Sequence, residues 1–326
     1  MTMTEQTGLL QAVIFDGQGR GQQLAWDGLA RPLAKDEFLW VHLDYTSAAA
    51  QDWVVNQSGL HTADMEALLK EETRPRSVVS HNGLLVILRG VNLNPGADPE
   101  DMVALRIWAD ATRIISTRYR CHMWETDILR AIEDGEGPIS TGEFLTMVTD
   151  LMVGRIHTVV QDIEDQVAAL EETMLQQKSG SVREQLGDIR RQAINLRRYL
   201  APQREALARL QTEKITWLSD VDRLHLREVH DRMVRAVEDL DAARERAVIA
   251  YEELANRVTE QLNQRMYVLS LIAAMFMPLT FLTGLLGINV GGIPGAENKQ
   301  AFLWVCYILG AVGLTLYFVF RKRKWM

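Results

Sequence analysis

Cysteine is almost absent from this chain: Cys121 and Cys306 are the only two, and they lie far apart. No disulfide framework can be built from them, which fits a reducing compartment. Basic charge is not in excess either, since the formal net charge is -8, and that argues against a nucleic-acid partner. Histidine and cysteine do not cluster at the spacings zinc sites use. Cys121-His122 is a single adjacent pair, and His225 with His230 sit five apart in His-Leu-Arg-Glu-Val-His, on different helix faces. A structural role suits each of them, and the one regulatory or intersubunit metal candidate left is Asp222 with His225. The phosphate loop Gly-x-x-x-x-Gly-Lys-Ser/Thr is missing, so nothing suggests that ATP drives this protein. Gly17, Gly19 and Gly21 follow an apolar run, but the third glycine is misplaced for a nucleotide loop and a hairpin turn is expected instead. No nucleophile, base and orienting group can be assembled from local motifs, so an enzyme is the weakest reading and no cofactor is required. Residues 1–12 lack the basic start and apolar run of a signal peptide.

Charge itself disappears near the C-terminal end. From Met266 to Ala296 there is no Asp, Glu, Lys, Arg or His, and the apolar part, 267–286, is about 20 residues, enough to cross a bilayer as a helix. A second uncharged stretch, 301–320, stops at Arg321-Lys322-Arg323-Lys324, a cluster that marks the cytoplasmic side. Two crossings put both termini on that side and leave only residues 287–300 outside. The mean hydropathy of -0.08 is then an average of a strongly charged soluble part and two apolar spans. With 326 residues, that soluble part is large enough for one or two domains with a sizeable core.

Proline and glycine are also missing where they matter. None interrupts 220–277, so a single helix is predicted from Asp220 through the first span to Leu286. So long and polar a helix needs neighbours to bury its apolar side. Residues 143–177 and 182–212 read as two more long amphipathic helices, separated by Lys178-Ser179-Gly180-Ser181, and they can pair antiparallel beside it. Before about residue 142 the pattern is mixed. Short β-rich runs are predicted at 11–15, 38–43, 77–79, 84–92, 102–108 and 113–117, with helices at 47–57 and 62–69 and a turn at Asn94-Pro95-Gly96. The fold class expected is α+β: a sheet covered by helices, then long helices, then two C-terminal transmembrane helices. The segments are 1–142 for the α/β domain, 143–265 for the long-helix region, 266–286 and 301–320 for the spans, 287–300 for the loop and 321–326 for the basic tail.

The first span ends at Gly287-Ile288-Asn289, followed by Val290-Gly291-Gly292-Ile293-Pro294-Gly295. A triplet of this kind at the end of a first C-terminal span, with a short loop and a basic tail, resembles the CorA-type metal-ion transporters, whose loop opens with Gly-Met-Asn. Isoleucine in the middle position is similar to the ZntB-like zinc branch rather than the magnesium branch. The resemblance implies a funnel-shaped homopentamer in a bacterial inner membrane, multi-pass, whose first spans line a central pore carrying hydrated divalent cations, zinc first among them. The alternative is a membrane-anchored cytosolic sensor or scaffold that uses the hairpin only to anchor and oligomerise.

Taking Asn289 as the pore mouth and stepping back by three or four residues selects one face of the first span. It holds Gly287, Gly284, Thr280, Met277, Ser270 or Leu269, Met266 and Asn263. The resemblance places Thr280, Met277, Leu269, Met266 and Asn263 on the pore wall. Asn263, Ser270 and Thr280 offer oxygen ligands, the methionines offer apolar constrictions, and nothing is charged, so a cation can keep much of its water shell. The bland reading is that the apolar members pack helix on helix and the hydroxyls bond their own carbonyls. At the mouth, Gly287 keeps the backbone close to the axis, Ile288 follows, and five copies of Asn289 present a neutral oxygen ring. Glu297 either concentrates cations there or is cancelled by Lys299. Below the span, the same stepping reaches Glu260 or Thr259, Asn256, Glu252 or Glu253, Glu245, Glu238 and Asp231. These form either an acidic funnel wall or ordinary surface pairs with Arg235, Arg244, Arg246 and Arg257.

Overall fold

The structure, a computed structural model, describes residues 8–80, 83–120, 123–175, 180–288, 293, 295 and 298–323. They divide into two compact units, Met1–Tyr251 and Glu252–Met326. The first unit begins with a mixed sheet of seven strands in the order β2-β1-β3-β7-β6-β5-β4. Its strands are β1 (Leu9–Phe15), β2 (Gly21–Gln23), β3 (Phe38–Asp44), β4 (Arg76–Ser80), β5 (Gly83–Gly90), β6 (Val103–Ala109) and β7 (Arg113–Arg118). Only β3 and β7 run parallel; the other described pairs are antiparallel. Each of the six strands expected from the sequence is present within a residue or two of its expected ends. The glycines at 17 and 19 take positive φ (71° and 88°) and turn β1 into β2, as the hairpin reading required.

Between the two edge strands β2 and β4 the sheet is buried on both faces, because helices cover both. On one face α1 (Ala48–Asn56) and α2 (Thr62–Leu69) close over Ile14, Val41, Leu43, Ile87, Trp108 and Ile115, inserting Trp53, Val54 and Leu68. The opposite face carries an aromatic cluster. Phe15 stacks on Phe38 with centroids 4.4 Å apart, and Trp40 meets Phe144 at 5.1 Å and Trp124 at 5.7 Å. Trp124 opens α3 (Trp124–Glu133) and Phe144 lies in the first turn of α4 (Thr141–Leu175). Trp40, Trp124 and Phe144 are all fully buried, so truncating any one to alanine costs roughly 3–5 kcal/mol. Beneath them lies a polar chain: His42 Nε2 is 3.0 Å from Glu125 Oε1 and His42 Nδ1 is 2.7 Å from Ser116 Oγ. Trp40 Nε1 also donates to Ser116 Oγ. Ser116, His42 and Glu125 have the composition of a hydrolytic triad, but Ser116 and His42 are wholly inaccessible. The chain serves the core, not a substrate.

α4, α5 (Gly180–Thr212) and α6 (Asp220–Leu286) bury their apolar residues at alternating steps of three and four. On α5 the buried positions include Val182, Leu186, Ile189, Ala193, Leu196 and Leu200; on α6 they include Leu226, Val229, Met233, Leu240, Ala243, Ala247 and Ala250. This is the seam of helices packed side by side. Ion pairs tie the exposed rims: Arg197 to Asp241 at 2.5 Å, Arg246 to Glu171 at 2.5 Å, and Arg232 to Asp150. The bond to Asp241 holds the Arg197 guanidinium above the ordinary arginine range, and Glu171 does the same for Arg246. Two capping boxes start the long helices. Ser140 Oγ accepts from Glu143 N while the Glu143 carboxylate accepts from Ile139 N, 2.7 Å away. Ser219 Oγ accepts from Asp222 N, and Asp222 Oδ2 accepts from Ser219 N at 2.9 Å. α6 continues through Pro278, and α7 (Ala301–Lys322) follows.

Candidate pore-lining face of the sixth helix

Two helices, α6 and α7, are long and apolar enough to cross a membrane. Within the unit Glu252–Met326 each carries one partly covered stripe. On α6 it is Leu271, Met275, Pro278, Leu279 and Leu282; on α7 it is Ala301, Val305, Leu309, Val312 and Leu316, ending at the buried Phe320. Both recur every three or four residues, the trace that helix-on-helix packing leaves. The rest of each span is exposed, with Phe276, Phe281, Phe302, Trp304 and Tyr307 pointing outward. So much bare apolar surface on one protein requires a lipid or protein partner.

The predicted stripe lies on the other side of α6. At about 3.6 residues per turn, Met266, Leu269, Met277, Thr280, Gly284 and Gly287 fall on the face opposite Leu271, Met275 and Leu282. Ser270 and Asn263 sit at its margin. All are exposed in the single chain, Met277 by 70% and Met266 and Leu269 by 63% each. The stripe is therefore not spent on packing within the chain. A methyl group added at Gly284 would meet nothing within 4 Å, whereas one at Gly287 would press on the Thr283 carbonyl at 3.0 Å. Gly287 closes the helix: its N–H donates to the carbonyls of Thr283 and Gly284. Ile288 is half exposed. Asn289 and Glu297 lie outside the described residues.

The hydroxyls divide by face. Thr283 Oγ1 donates to the Thr280 carbonyl at 3.0 Å, and Thr315 bonds back to Ala311. Those are hydroxyls satisfied by their own helix, as the bland reading expected of all of them. The hydroxyls of Thr280 and Ser270 bond nothing among the described residues, so on this face the oxygen ligands are free. Before α7, Asn298 Oδ1 accepts from Gln300 N at 2.9 Å, forming a turn that leads into the helix.

In the first unit, Asp231, Glu238 and Glu245 recur at seven-residue intervals on the exposed side of α6, away from its buried seam. Glu252 continues the spacing in sequence. Asp231 Oδ1 is 3.3 Å from His230 Nδ1. Among the described residues Glu238, Glu245 and Glu252 enter no ion pair, while Arg246 is turned to Glu171 and Arg257 to Glu253. Of the two alternatives at that step, Glu253 is the one paired with an arginine. The metal candidate Asp222 is instead committed to the cap of α6: it is buried and bonded to Ser219, with Gly142 pressed against it. His225 is exposed one turn on. Among the described residues no three His, Cys, Asp or Glu side chains come together to hold a metal ion, and Cys121-His122 lies outside them.

A mixed-sheet domain, long amphipathic helices and two C-terminal helices long and apolar enough to cross a membrane are the architecture to be matched against known proteins. The chain belongs to the family described as CorA-like Mg2+ transporter protein, which matches residues 35–322. It is 39% identical to the divalent cation transporter CmaX of Pseudomonas aeruginosa over 99% of this chain and 98% of that one. It is 33% identical to the zinc transport protein ZntB of Yersinia enterocolitica over 96% and 94%. A solved structure of full-length CmaX superposes with a TM-score of 0.87, covering 98% of both chains. The chain is similar to both kinds of relative, so the fold is CorA-like and the protein is not an enzyme.

Proposed function

We propose that this protein moves divalent metal cations, zinc among them, through a central path enclosed by five copies of α6 in a bacterial inner membrane. The observation that carries the reading is the stripe of Met277, Thr280 and Gly284, flanked by Ser270 and Asn263: uncharged, exposed, with unengaged hydroxyls, and turned away from the covered side of its own helix. A single lining helix per chain cannot enclose a path, so several copies must bring their stripes together, and the family resemblance supports five. Neutral oxygens suit a cation that keeps its water, because they exchange with its hydration shell without holding it tightly. The mouth is formed by Gly287, Ile288 and Asn289 with Glu297 near by, residues 266–286 and 301–320 cross the bilayer, and both termini face the cytoplasm. Residues 1–142 and 143–265 form the cytoplasmic α/β domain and the funnel. Zinc rests on the Gly-Ile-Asn resemblance and on the zinc relatives.

Purified protein in liposomes, loaded with zinc- or magnesium-sensitive dye, tests this with and without a pH gradient. Saturable zinc entry that scales with protein is the expected result. Intact oligomers that pass neither ion would refute transport and favour the membrane-anchored scaffold. Native mass spectrometry in mild detergent should give five chains; a monomer or dimer that retains flux would overturn the shared path.

A further inference from the structure

The two edges of the seven-stranded sheet carry opposite charge. At the β4 edge, Ser77 Oγ donates to the Ala206 carbonyl at 2.9 Å and ties α5 to the strand. Beside this bond lies a hollow of about 630 Å³ lined by Lys70, Arg74, Arg76 and Arg198, with Glu71 and Glu72 as its acidic members. All six are exposed, and among the described residues none of them enters an ion pair. Val78 and Val79, 45% and 48% exposed, stand on the same strand, whose only neighbour in the sheet is β5.

The other edge is β2, and the loop after α3 packs on the turn that leads into it. Gly137 N donates to the Gly19 carbonyl at 2.9 Å, and a methyl at Gly21 would meet Ile132. That loop is acidic, Glu133-Asp134-Gly135-Glu136. It borders a groove of about 340 Å³ between α4 and α6, where Glu136 is joined by Glu143, Glu228 and the exposed His225. Asp150 and Arg232, in the same groove, pair with each other. Against these five carboxylates stand Arg20, next to Gly19, and Arg130, in the last turn of α3. Val221 and Leu224, 61% and 52% exposed, share a side of α6 with Glu228, at steps of three and four. With neighbouring strands about 4.8 Å apart, β2 and β4 are separated by roughly 29 Å across the sheet.

We propose that copies of this chain dock head to tail, the basic β4 edge of one against the acidic end beside β2 of the next. This rests on the reading that several copies share one path, and it names the surfaces that join them. Contacts between unlike patches repeat around a ring when the rotation closes. A two-fold contact would instead set like patches together, carboxylates on carboxylates or arginines on arginines, and like-charge juxtaposition suppresses such pairings. Val78 and Val79 give the basic patch an apolar surface to bury against Val221 and Leu224, with the charges around it fixing the register.

The test is cross-linking of the full-length protein in mild detergent, in a Cys121→Ser, Cys306→Ser background. Val78→Cys and Val221→Cys are made singly and together, and a short bismaleimide is added. The chain carrying both should give a ladder of covalent oligomers ending at the full ring, because the distance between the two edges prevents a link within one chain. Neither single variant should cross-link alone, and the two co-expressed should give dimers and nothing larger. Val79→Cys replaces Val78→Cys if the latter does not assemble. Arg76→Glu and Glu228→Arg should each lower the yield of the ladder about threefold to tenfold, as expected when a pair at an interface rim becomes repulsive, and together should restore part of it. Dimers from a single-cysteine variant would show a two-fold contact and overturn the proposal. So would the absence of a ladder from oligomers that native mass spectrometry finds intact, or a yield that neither charge reversal changes; both outcomes leave the shared path standing. A chain that forms no oligomer at all would remove the shared path and this docking with it.

Discussion

Two threonines three residues apart on α6 give the transport reading its sharpest test. Thr280 and Thr283 have the same side chain, but Thr283 Oγ1 is bonded to the Thr280 carbonyl while the Thr280 hydroxyl is unengaged and faces the stripe side of the helix. Replacing either by valine preserves shape and β-branching and removes only the oxygen. At position 283 the lost bond is an internal one, worth about 0.5–1.5 kcal/mol at most, and the path is unaffected. At position 280 no bond within the chain is lost. What disappears is a ring of hydroxyls that would otherwise exchange with the cation's water. If the hydrated ion contacts two of them at its narrowest passage, the barrier rises by about 1–3 kcal/mol, or roughly 5- to 150-fold in rate. The assay is initial zinc uptake into liposomes, normalised to the quantity of assembled oligomer. Thr280→Val should be slowed within that range at unchanged assembly, and Thr283→Val should transport at nearly the wild-type rate. Equal flux in both variants, or a larger loss at Thr283, would refute the assignment of this face to the path.

Three further outcomes are expected. Asn289→Ala should abolish most metal flux with the oligomer intact, and Asn289→Asp should trap divalent ions, because a ring of carboxylates binds them too tightly for release. Asn298→Ala, which removes only the turn bond to Gln300, is the control, and undiminished zinc uptake by assembled Asn289→Ala would remove Asn289 from the mouth. Gly142→Ala would drive a methyl into Asp222 Oδ2, a carboxylate held by Ser219, so denaturant melts should show a loss of about 1–3 kcal/mol; an unchanged midpoint would mean that the cap of α6 yields freely. A cysteine at position 326, with Cys121 and Cys306 replaced, should resist an impermeant label added outside intact cells, and its labelling there would invert the topology.

What the sequence disclosed and what it hid follow from how local each signal is. The strands β3, β5 and β6 were legible because continuous β-branched and aromatic runs leave little choice of conformation. β2 was not, since Gly21-Gln22-Gln23 is short and polar and is a strand only because β1 lies beside it. α3 escaped notice because its buried residues are few, Trp124, Glu125 and Ile128, and one of them is charged. On α6 the absence of charge marked the span and the stepping from Asn289 marked a face. No sequence rule, however, distinguishes the hydroxyl of Thr280 from that of Thr283, because that depends on which rotamer returns to the helix backbone. The acidic row was ambiguous for the same reason: Arg235, Arg244, Arg246 and Arg257 stand at spacings that permit local pairs with it, and only the fold reveals that Arg246 reaches across to α4. Arg106 is the extreme case. In Val103–Ala109, every residue of which is buried, a central arginine looks like an interruption of an apolar strand. Its meaning emerges only in the fold, where the chain leaving α2 delivers the Glu71 carbonyl and the Tyr45 ring lies 4.5 Å from the guanidinium, so that a charge in mid-strand is held by groups distant in sequence.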